Sequence, residues 1–332
     1  NMYDVITFGS ATLDLSVMMP DELIVCPRKT TSQKKYVIKA GSKIDLKDIY
    51  FGFGGGGLNT AIAFKNQGFE VAYCGAIGDD IPGREIIEFL DKQGIDVHLV
   101  QKIQVLGKYT NHSVILDNSK TDRTVLAYRG ASELLSEENL PYQLQAKWYY
   151  LAPLSGKLSH LTQNILDLAK ENNIKTAVNF GNSQLRMKKM KPLLEKIDVL
   201  ILNKEEASFF TGIDYKKEEK IIEALANKHK QGINVMTKGA DGVIVIADGK
   251  VYEAKLKPFK VIDETGAGDA FGSGFISGLI QKSDIVSCIC LGLTNSKYAI
   301  KTRGATTGLL MKKDNYLVEK EKIKVQVREL NL

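Results

Sequence analysis

Short apolar runs rich in β-branched and aromatic residues recur along the chain, each closed by turn residues: DVITFGS, EVAYCGAIG, KWYYLAPL, KTAVNF, DVLILN, INVMTKG and GVIVIADG. Runs of this kind, bounded by Gly, Asn or Asp, predict buried strands. Between most of them lie segments with helical period, polar on one face and closed by Gly or Asn: LNTAIAFKNQG, GREIIEFLDKQG, LSHLTQNILDLAKENN and KKEEKIIEALANKHKQG. The alternation predicts an α/β fold with a mostly parallel central sheet, helices on both faces and ligand sites at the carboxyl ends of the strands.

Two stretches break the alternation. SQKKYVIKAGSKIDLKDIYFGF and GKYTNHSVILDNSKTDRTVLAYRG read as strands without an intervening helix, the second turning as a hairpin through Asn118 to Thr121. They predict a small antiparallel sheet, fed by excursions at roughly 15–53 and 106–130 from a single domain spanning 1–332. Such a sheet is either a lid over a ligand or an additional structural layer.

Two glycine-rich elements open helices. In DETGAGDAFGSGF, Gly266, Ala267 and Gly268 place several unpaired backbone N–H groups at a helix start with almost no side chain in front of them. Orphan donors and the positive end of the helix dipole make that an anion site. Asp269 in the same turn makes chemical sense if it takes the proton from a hydroxyl attacking a bound phosphate. A capping aspartate in a Gly-rich turn is the structural alternative. Gly272, Gly274 and Gly278 in the following helix each cost about 1 kcal/mol relative to Ala, which close packing would offset. The other element, GFGGGGLNTAIAF, matches G-x-G-x-x-G at Gly52, Gly54 and Gly57. A dinucleotide fold carries that fingerprint directly after its first strand, whereas these glycines arrive some forty residues later. No G-x-x-x-x-G-K-[ST] is present, which excludes a Walker-type site.

Composition changes this picture little. Of 332 residues 44% are apolar and 25% charged, and the +6 charge is spread along the chain, as on a solvated surface and not a nucleic-acid footprint. Cys26, Cys74, Cys288 and Cys290 show no metal-ligand spacing and read as buried thiols. His98, His112, His160 and His229 lie in no motif and read as structural, and Arg84 as a surface helix residue. No stretch reaches the roughly 20 apolar residues of a membrane span, and the first residues run directly into a strand, so the expected setting is cytoplasmic.

These motifs, in this order, resemble those of the ribokinase-like carbohydrate kinases, the PfkB family, over essentially the whole chain. DETGAGDAFGSGF is similar to the family signature D-T-x-G-A-G-D-x-F, with Glu264 where Thr or Ser is usual; GGGGLN, Gly54 to Asn59, resembles G-G-x-G-x-N. The resemblance implies a three-layer sandwich with a small antiparallel β lid, and an ATP- and Mg²⁺-dependent phosphotransferase. Asp269 would be the general base, with Gly266, Ala267 and Gly268 in the anion hole. Asp14 of GSATLD, Gly54, Gly55 and Asn59 would hold the acceptor. Asn203 and Glu206 of NKEE would organise phosphate and water-bound Mg²⁺. Thr237, Gly239 and Gly242 of TKGADG would face the nucleotide, and Asn295 is the candidate polar residue at the base.

Many relatives also bind a monovalent cation such as K⁺, for which Asp263, Ala299 and Gly304 match by spacing. Structural roles compete at several of these positions: a turn at Asp14, a helix cap at Asn59, a solvated face at Glu206, a strand at Thr237. The acceptor implied is a hydroxymethyl group on a small sugar of the ribose or fructose type, with a nucleoside or sugar phosphate as alternatives. Basic Arg28, Lys29, Lys34, Lys35, Lys39 and Lys43 would read a phosphate, and Tyr36, Tyr50, Phe51, Phe53 and Tyr109 a base. No nucleic-acid or membrane partner is expected, and a homodimer through the lid is compatible. Outside the family, an NAD-type oxidoreductase built on GFGGGG and a non-catalytic ligand sensor are the competing readings.

Overall fold

A computed structural model describes residues 2–25, 35–118, 123–142, 145–188, 190–314 and 320–330. Its strands are β1 (Tyr3–Phe8), β2 (Thr12–Met18), β3 (Ile24–Val25), β4 (Lys35–Tyr36), β5 (Asp48–Gly54), β6 (Val71–Gly78), β7 (Val100–Ile103) and β8 (Asn111–Asp117). They continue with β9 (Thr124–Tyr128), β10 (Ala146–Leu151), β11 (Lys175–Asn179), β12 (Val199–Asn203), β13 (Ile233–Thr237), β14 (Val243–Ala247), β15 (Lys250–Ala254) and β16 (Val325–Glu329). The helices are α1 (Gly56–Asn66), α2 (Ile81–Lys92), α3 (Thr162–Glu171), α4 (Asn182–Leu185), α5 (Met190–Leu194), α6 (Lys204–Thr211), α7 (Glu218–Lys228), α8 (Ala267–Ile280) and α9 (Ile285–Ala299).

The large sheet runs β16-β15-β14-β13-β12-β11-β10-β1-β6-β7. From β13 to β7 every pairing is parallel, and β14, β15 and β16 add an antiparallel edge. Period-two alternation sorts its residues between two cores. Ile6, Phe8, Tyr149 and Leu151 point to one, with Ile165 of α3 and Leu225 of α7. Val5, Tyr73 and Tyr150 point to the other, with Phe64 of α1, Leu90 of α2, Phe275 of α8 and Ile289 of α9. Burial on both faces is why these strands read as continuous apolar runs.

The glycines of α8 do buy close contact. A Cβ at Gly274 would lie 2.9 Å from the Gly292 Cα of α9, and one at Gly278 would lie 2.7 Å from Cys288 Sγ. Cys74, Cys288 and Cys290 are free and buried, as expected, and Cys26 lies outside the described residues.

The second sheet runs β5-β2-β8-β9. Its outer pairs, β5 with β2 and β8 with β9, are antiparallel, while β2 and β8 at its centre run parallel. Of the first excursion only β4 and β5 are extended pairs downstream of residue 34. Residues 37–47, expected as strand, are mostly exposed coil turning at Gly41, where the Ser42 hydroxyl bonds the Lys39 carbonyl at 2.6 Å. The turn expected at 118 to 121 lies, after Asn118, outside the described residues. Among the described residues no helix is long and apolar enough to cross a membrane.

Candidate active site

Most of the candidate residues collect at the carboxyl ends of the parallel strands, with Asp14 on β2 of the second sheet beside them. Gly266, the residue before α8, sits at φ +75°, a left-handed conformation that glycine adopts without strain. The turn delivers the amides of Gly268 and Asp269 to a helix start, where no described acceptor faces them, while Ala267 N–H reaches the Glu264 carbonyl at 3.2 Å. A Cβ on Gly268 would meet nothing within 4 Å, so the space in front of these donors is open.

Asp269 is half-buried. Burial pushes its carboxyl above the ordinary range, and a bond from Asn59 acts against that shift. The bond runs from Asn59 Nδ2 to Asp269 Oδ2 at 2.9 Å and ties α1 to α8. Asn59 Oδ1 is buried with no partner among the described residues. Gly56 leaves room for the other carboxylate oxygen: a Cβ there would stand 3.5 Å from Asp269 Oδ1.

Two cavities meet at this turn. The larger, about 550 Å³, is walled by Thr237, Gly239, Gly242, Phe259, Glu264 and Gly268, among others. The smaller, about 270 Å³, is walled by Asp14, Gly55, Asn111, Ser113, Arg129 and Thr265, among others. Glu264, Ala267 and Gly268 line the larger and Thr265 the smaller, so this short segment borders both.

Asp14 lies on β2 with Oδ1 bonded by the Ser113 hydroxyl of β8. Burial pushes its carboxyl up to about 6; the Ser113 bond opposes the shift and the nearby Asp263 charge adds to it. Gly54 makes this placement possible, since a Cβ there would fall 2.0 Å from Asp14 Oδ2. The neighbouring GGGG turn docks α1 onto the end of β1: Gly57 and Leu58 N–H both donate to the Ser10 carbonyl, at 3.1 and 3.3 Å. Those amides are not free for a pyrophosphate, which removes the ground for reading GFGGGG as a dinucleotide motif.

Asn203 and Glu206 form a reciprocal capping box at the start of α6, with Glu206 N–H donating to Asn203 Oδ1 and Asn203 N–H to Glu206 Oε2, both at 2.8 Å. The helix-cap role accounts for most of this motif and leaves Glu206 Oε1 for another partner. Burial raises the Glu206 carboxyl above its ordinary range.

Several expectations change. Asn295 does not face the larger cavity. It is 1% exposed and joins α9 to the chain around it, donating to the Ala270 carbonyl at 2.8 Å and accepting from Leu310 N–H at 2.8 Å. Asn59 reaches Asp269 and is not part of the lining of the smaller cavity. Phe53 packs on Phe89 of α2, with ring centroids 5.2 Å apart, and Tyr50 lies under the Arg303 guanidinium.

Lys35, Lys39 and Lys43 do not line the smaller cavity, and Arg28, Lys29 and Lys34 lie outside the described residues. The cations that do line it are Arg123 and Arg129, with His112, which the sequence reading set aside as structural. Period two was the available signal for Arg123 and Arg129, and it gave none for His112, which lies between two of the facing positions of β8. Asn111, Ser113 and Ile115 on β8, and Val125 and Ala127 on β9, share the face turned to the cavity. His229 is structural as expected, buried with its ring nitrogens on Asn234 Oδ1 and the Ile197 carbonyl, and Arg84 is exposed beside Asp79.

Asp263, the proposed cation ligand, is already engaged. Its Oδ1 accepts from Arg123 Nη1 and from Thr265 N–H, the latter at 2.8 Å, and its Oδ2 accepts from Gly304 N–H at 2.8 Å. Its carboxyl is held below the ordinary range because these bonds outweigh its burial. Among the described residues no group of His, Cys, Asp or Glu is clustered to hold a metal ion.

Comparison with known proteins gives this architecture its class. The chain belongs to the pfkB family of carbohydrate kinases, whose model matches residues 21–312. It is thus a phosphotransferase with an alcohol acceptor. It is 26% identical over 279 residues to a ribokinase of Haemophilus influenzae, covering 82% of this chain and 89% of that protein. Adenosine kinase 2 of Arabidopsis thaliana is 25% identical, with 90% of this chain and 94% of that protein covered. Among solved structures, an Arabidopsis thaliana ribokinase complexed with ribose and ATP superposes with a TM-score of 0.76 at 22% identity, covering 97% and 99% of the two chains. A Methanocaldococcus jannaschii nucleoside kinase superposes with a TM-score of 0.75 at 20% identity, covering 97% and 100%.

Proposed function

We propose that this chain transfers the γ-phosphoryl group of ATP to a hydroxymethyl group of a small sugar of the ribose or fructose type. One observation carries the reading: the turn that bares the amides of Gly268 and Asp269 lines both cavities, the larger through Glu264, Ala267 and Gly268 and the smaller through Thr265. A phosphoryl group leaving a nucleotide in the larger cavity meets an acceptor from the smaller one at that turn.

The acceptor's size argues for a monosaccharide. The smaller cavity, about 270 Å³, falls below the roughly 300–1,000 Å³ of pockets that enclose drug-sized ligands. Its polar wall of Asp14, Asn111, Ser113 and Ser132 suits a ring bearing several hydroxyls.

The residues divide the work by chemistry. Asp14 accepts from acceptor hydroxyls and fixes their orientation. Asp269, held by Asn59 through one oxygen, takes the proton of the attacking hydroxyl on the other. The amides of Gly268 and Asp269 bind the charge that spreads over the transferred group, aided by the α8 dipole. Mg²⁺ keeps most of its water and needs few carboxylate ligands, so the free Glu206 Oε1 and the nucleotide phosphates fit it. When bound, it would neutralise phosphate charge. Thr237, Gly239 and Gly242 form the nucleotide-side wall.

The test is ADP release with Mg-ATP against D-ribose, D-fructose, their phosphates and adenosine. Turnover with a free sugar above that with adenosine supports the reading. Preference for adenosine or a sugar phosphate replaces the acceptor, and silence across the panel favours a ligand-sensing protein.

A further inference from the structure

Arg123 stands just before β9 in the small sheet, yet its guanidinium reaches the turn that leads into α8. It bonds Asp263 Oδ1, the Thr265 hydroxyl at 2.8 Å, and, at 3.4 Å each, Asp117 Oδ2 and the Ile262 carbonyl. The pair is shielded, with Asp263 at 8% and Arg123 at 22% side-chain exposure. Its neighbours across the turn are Gly304, through Asp263 Oδ2, and Tyr50, whose hydroxyl a Cβ on Gly304 would approach to 2.9 Å.

The positions matched by spacing to a monovalent-cation site do not fit an ion here. Asp263 spends both oxygens on protein donors. The Ala299 carbonyl accepts from the Thr302 hydroxyl at 3.0 Å and from its N–H at 3.3 Å. Gly304 presents its N–H to Asp263. A cation at Asp263 would have to share the carboxylate with a guanidinium that already supplies the charge.

That charge is needed. Asp263 is buried and close enough to Asp14 for the two charges to oppose each other, and a buried carboxylate without a counter-charge is costly. An arginine does not lose its proton in a protein and, unlike an ion, cannot dissociate.

Resting on the kinase reading above, we propose that Arg123 is a positioning residue for the phosphoryl-transfer turn. Its guanidinium supplies at Asp263 the fixed positive charge that a monovalent cation would otherwise supply, so turnover is independent of potassium. Because Arg123 leads directly into β9 of the small sheet, the same bond holds that sheet against the turn before α8.

The test compares KCl, NaCl and choline chloride at equal ionic strength. Melting temperature is read with and without Mg-ATP, and ADP release with D-ribose, D-fructose and adenosine. The wild-type protein is expected to behave alike in the three salts. Arg123→Ala is expected to lose about 10- to 100-fold in kcat, the scale of a small misplacement at a reacting centre, with little change in the KM for ATP. Guanidinium chloride at low millimolar concentration is expected to restore part of the rate, and Arg123→Lys to lie between the two.

A potassium-specific rise in wild-type rate or melting temperature overturns the proposal. So does an Arg123→Ala variant with wild-type kcat, or a loss that guanidinium does not relieve. Should Arg123→Ala fail to fold, the wild-type salt series and Arg123→Lys decide. Absence of ADP release in every salt tells against the kinase reading alone, and the melting series then still judges the cation claim.

Discussion

Asn59 donates from Nδ2 to Asp269 Oδ2 at 2.9 Å, across 210 residues of sequence. The bond joins the starts of the two helices that follow the two glycine-rich elements, so the N-terminal motif aims the acid of the C-terminal one. It also favours the ionised form of a carboxylate that burial pushes toward the neutral form.

Asp269→Asn preserves the shape and the amide contacts of the turn but removes the proton acceptor. We expect kcat to fall by about 10²–10⁴-fold, the usual worth of general-base catalysis. Mg-ATP affinity measured by calorimetry should be nearly unchanged. Near-normal turnover would rule out this residue as the base.

Asn59→Ala removes the only protein donor described on that carboxylate. Since the bond stabilises the charged form, its loss should raise the Asp269 pKa further. The acid limb of the kcat/KM profile should therefore move to higher pH. A limb that stays in place would show that Asn59 does not tune the acid.

Asp14 opposes stability near neutrality. Its folded pKa of about 6 exceeds its ordinary value of 3.8, so the folded protein binds its proton more tightly than the unfolded chain does. The stability this contributes is complete below about pH 4 and is lost as pH rises through 6. A shift of two units is worth at most about 3 kcal/mol. Asp14→Asn should raise the melting temperature at pH 7 relative to pH 4 and raise the KM for the acceptor. Equal stabilisation at both pH values would refute the electrostatic account.

Tyr150 and Gly272 form a tight pair. The Tyr150 hydroxyl is buried without a partner among the described residues, and a Cβ on Gly272 would stand 2.2 Å from it. Gly272→Ala should cost about 1–3 kcal/mol through overpacking. Tyr150→Phe, which deletes an unsatisfied hydroxyl, should be tolerated and should suppress much of that cost in the double variant. Additive losses in thermal unfolding would exclude the clash.

The central architecture was legible because its strands are buried on both faces and its helices on one, two patterns that sequence displays openly. The bare turn was legible for a local reason: a helix start made of Gly266, Ala267 and Gly268 leaves amides without acceptors among the described residues and no side chain in front of them. What sequence hid was pairwise. Nothing local in TDRTVLAYRG says that Arg123 reaches Asp263, 140 residues away. The polar face of β8 emerged only once β2 lay beside it. Asn295 misled because a polar residue on a helix near a nucleotide site suggests a contact, whereas its amide was needed to satisfy Ala270 and Leu310 in the core. The N-x-x-E motif likewise has a local role, the α6 capping box, whatever else it touches.

The two cavities draw on different parts of the polypeptide. Apart from Thr265, the smaller is built from residues 10 to 158, and the larger from residues 237 to 300. On the proposed assignment of the cavities, substrate choice can thus diverge by changes confined to the first half, while the half that would handle the nucleotide stays as it is. A hybrid carrying its leading 160 or so residues from a relative should inherit that relative's taste in alcohols, provided the grafted partners of Asp269 and Asp263 come with them.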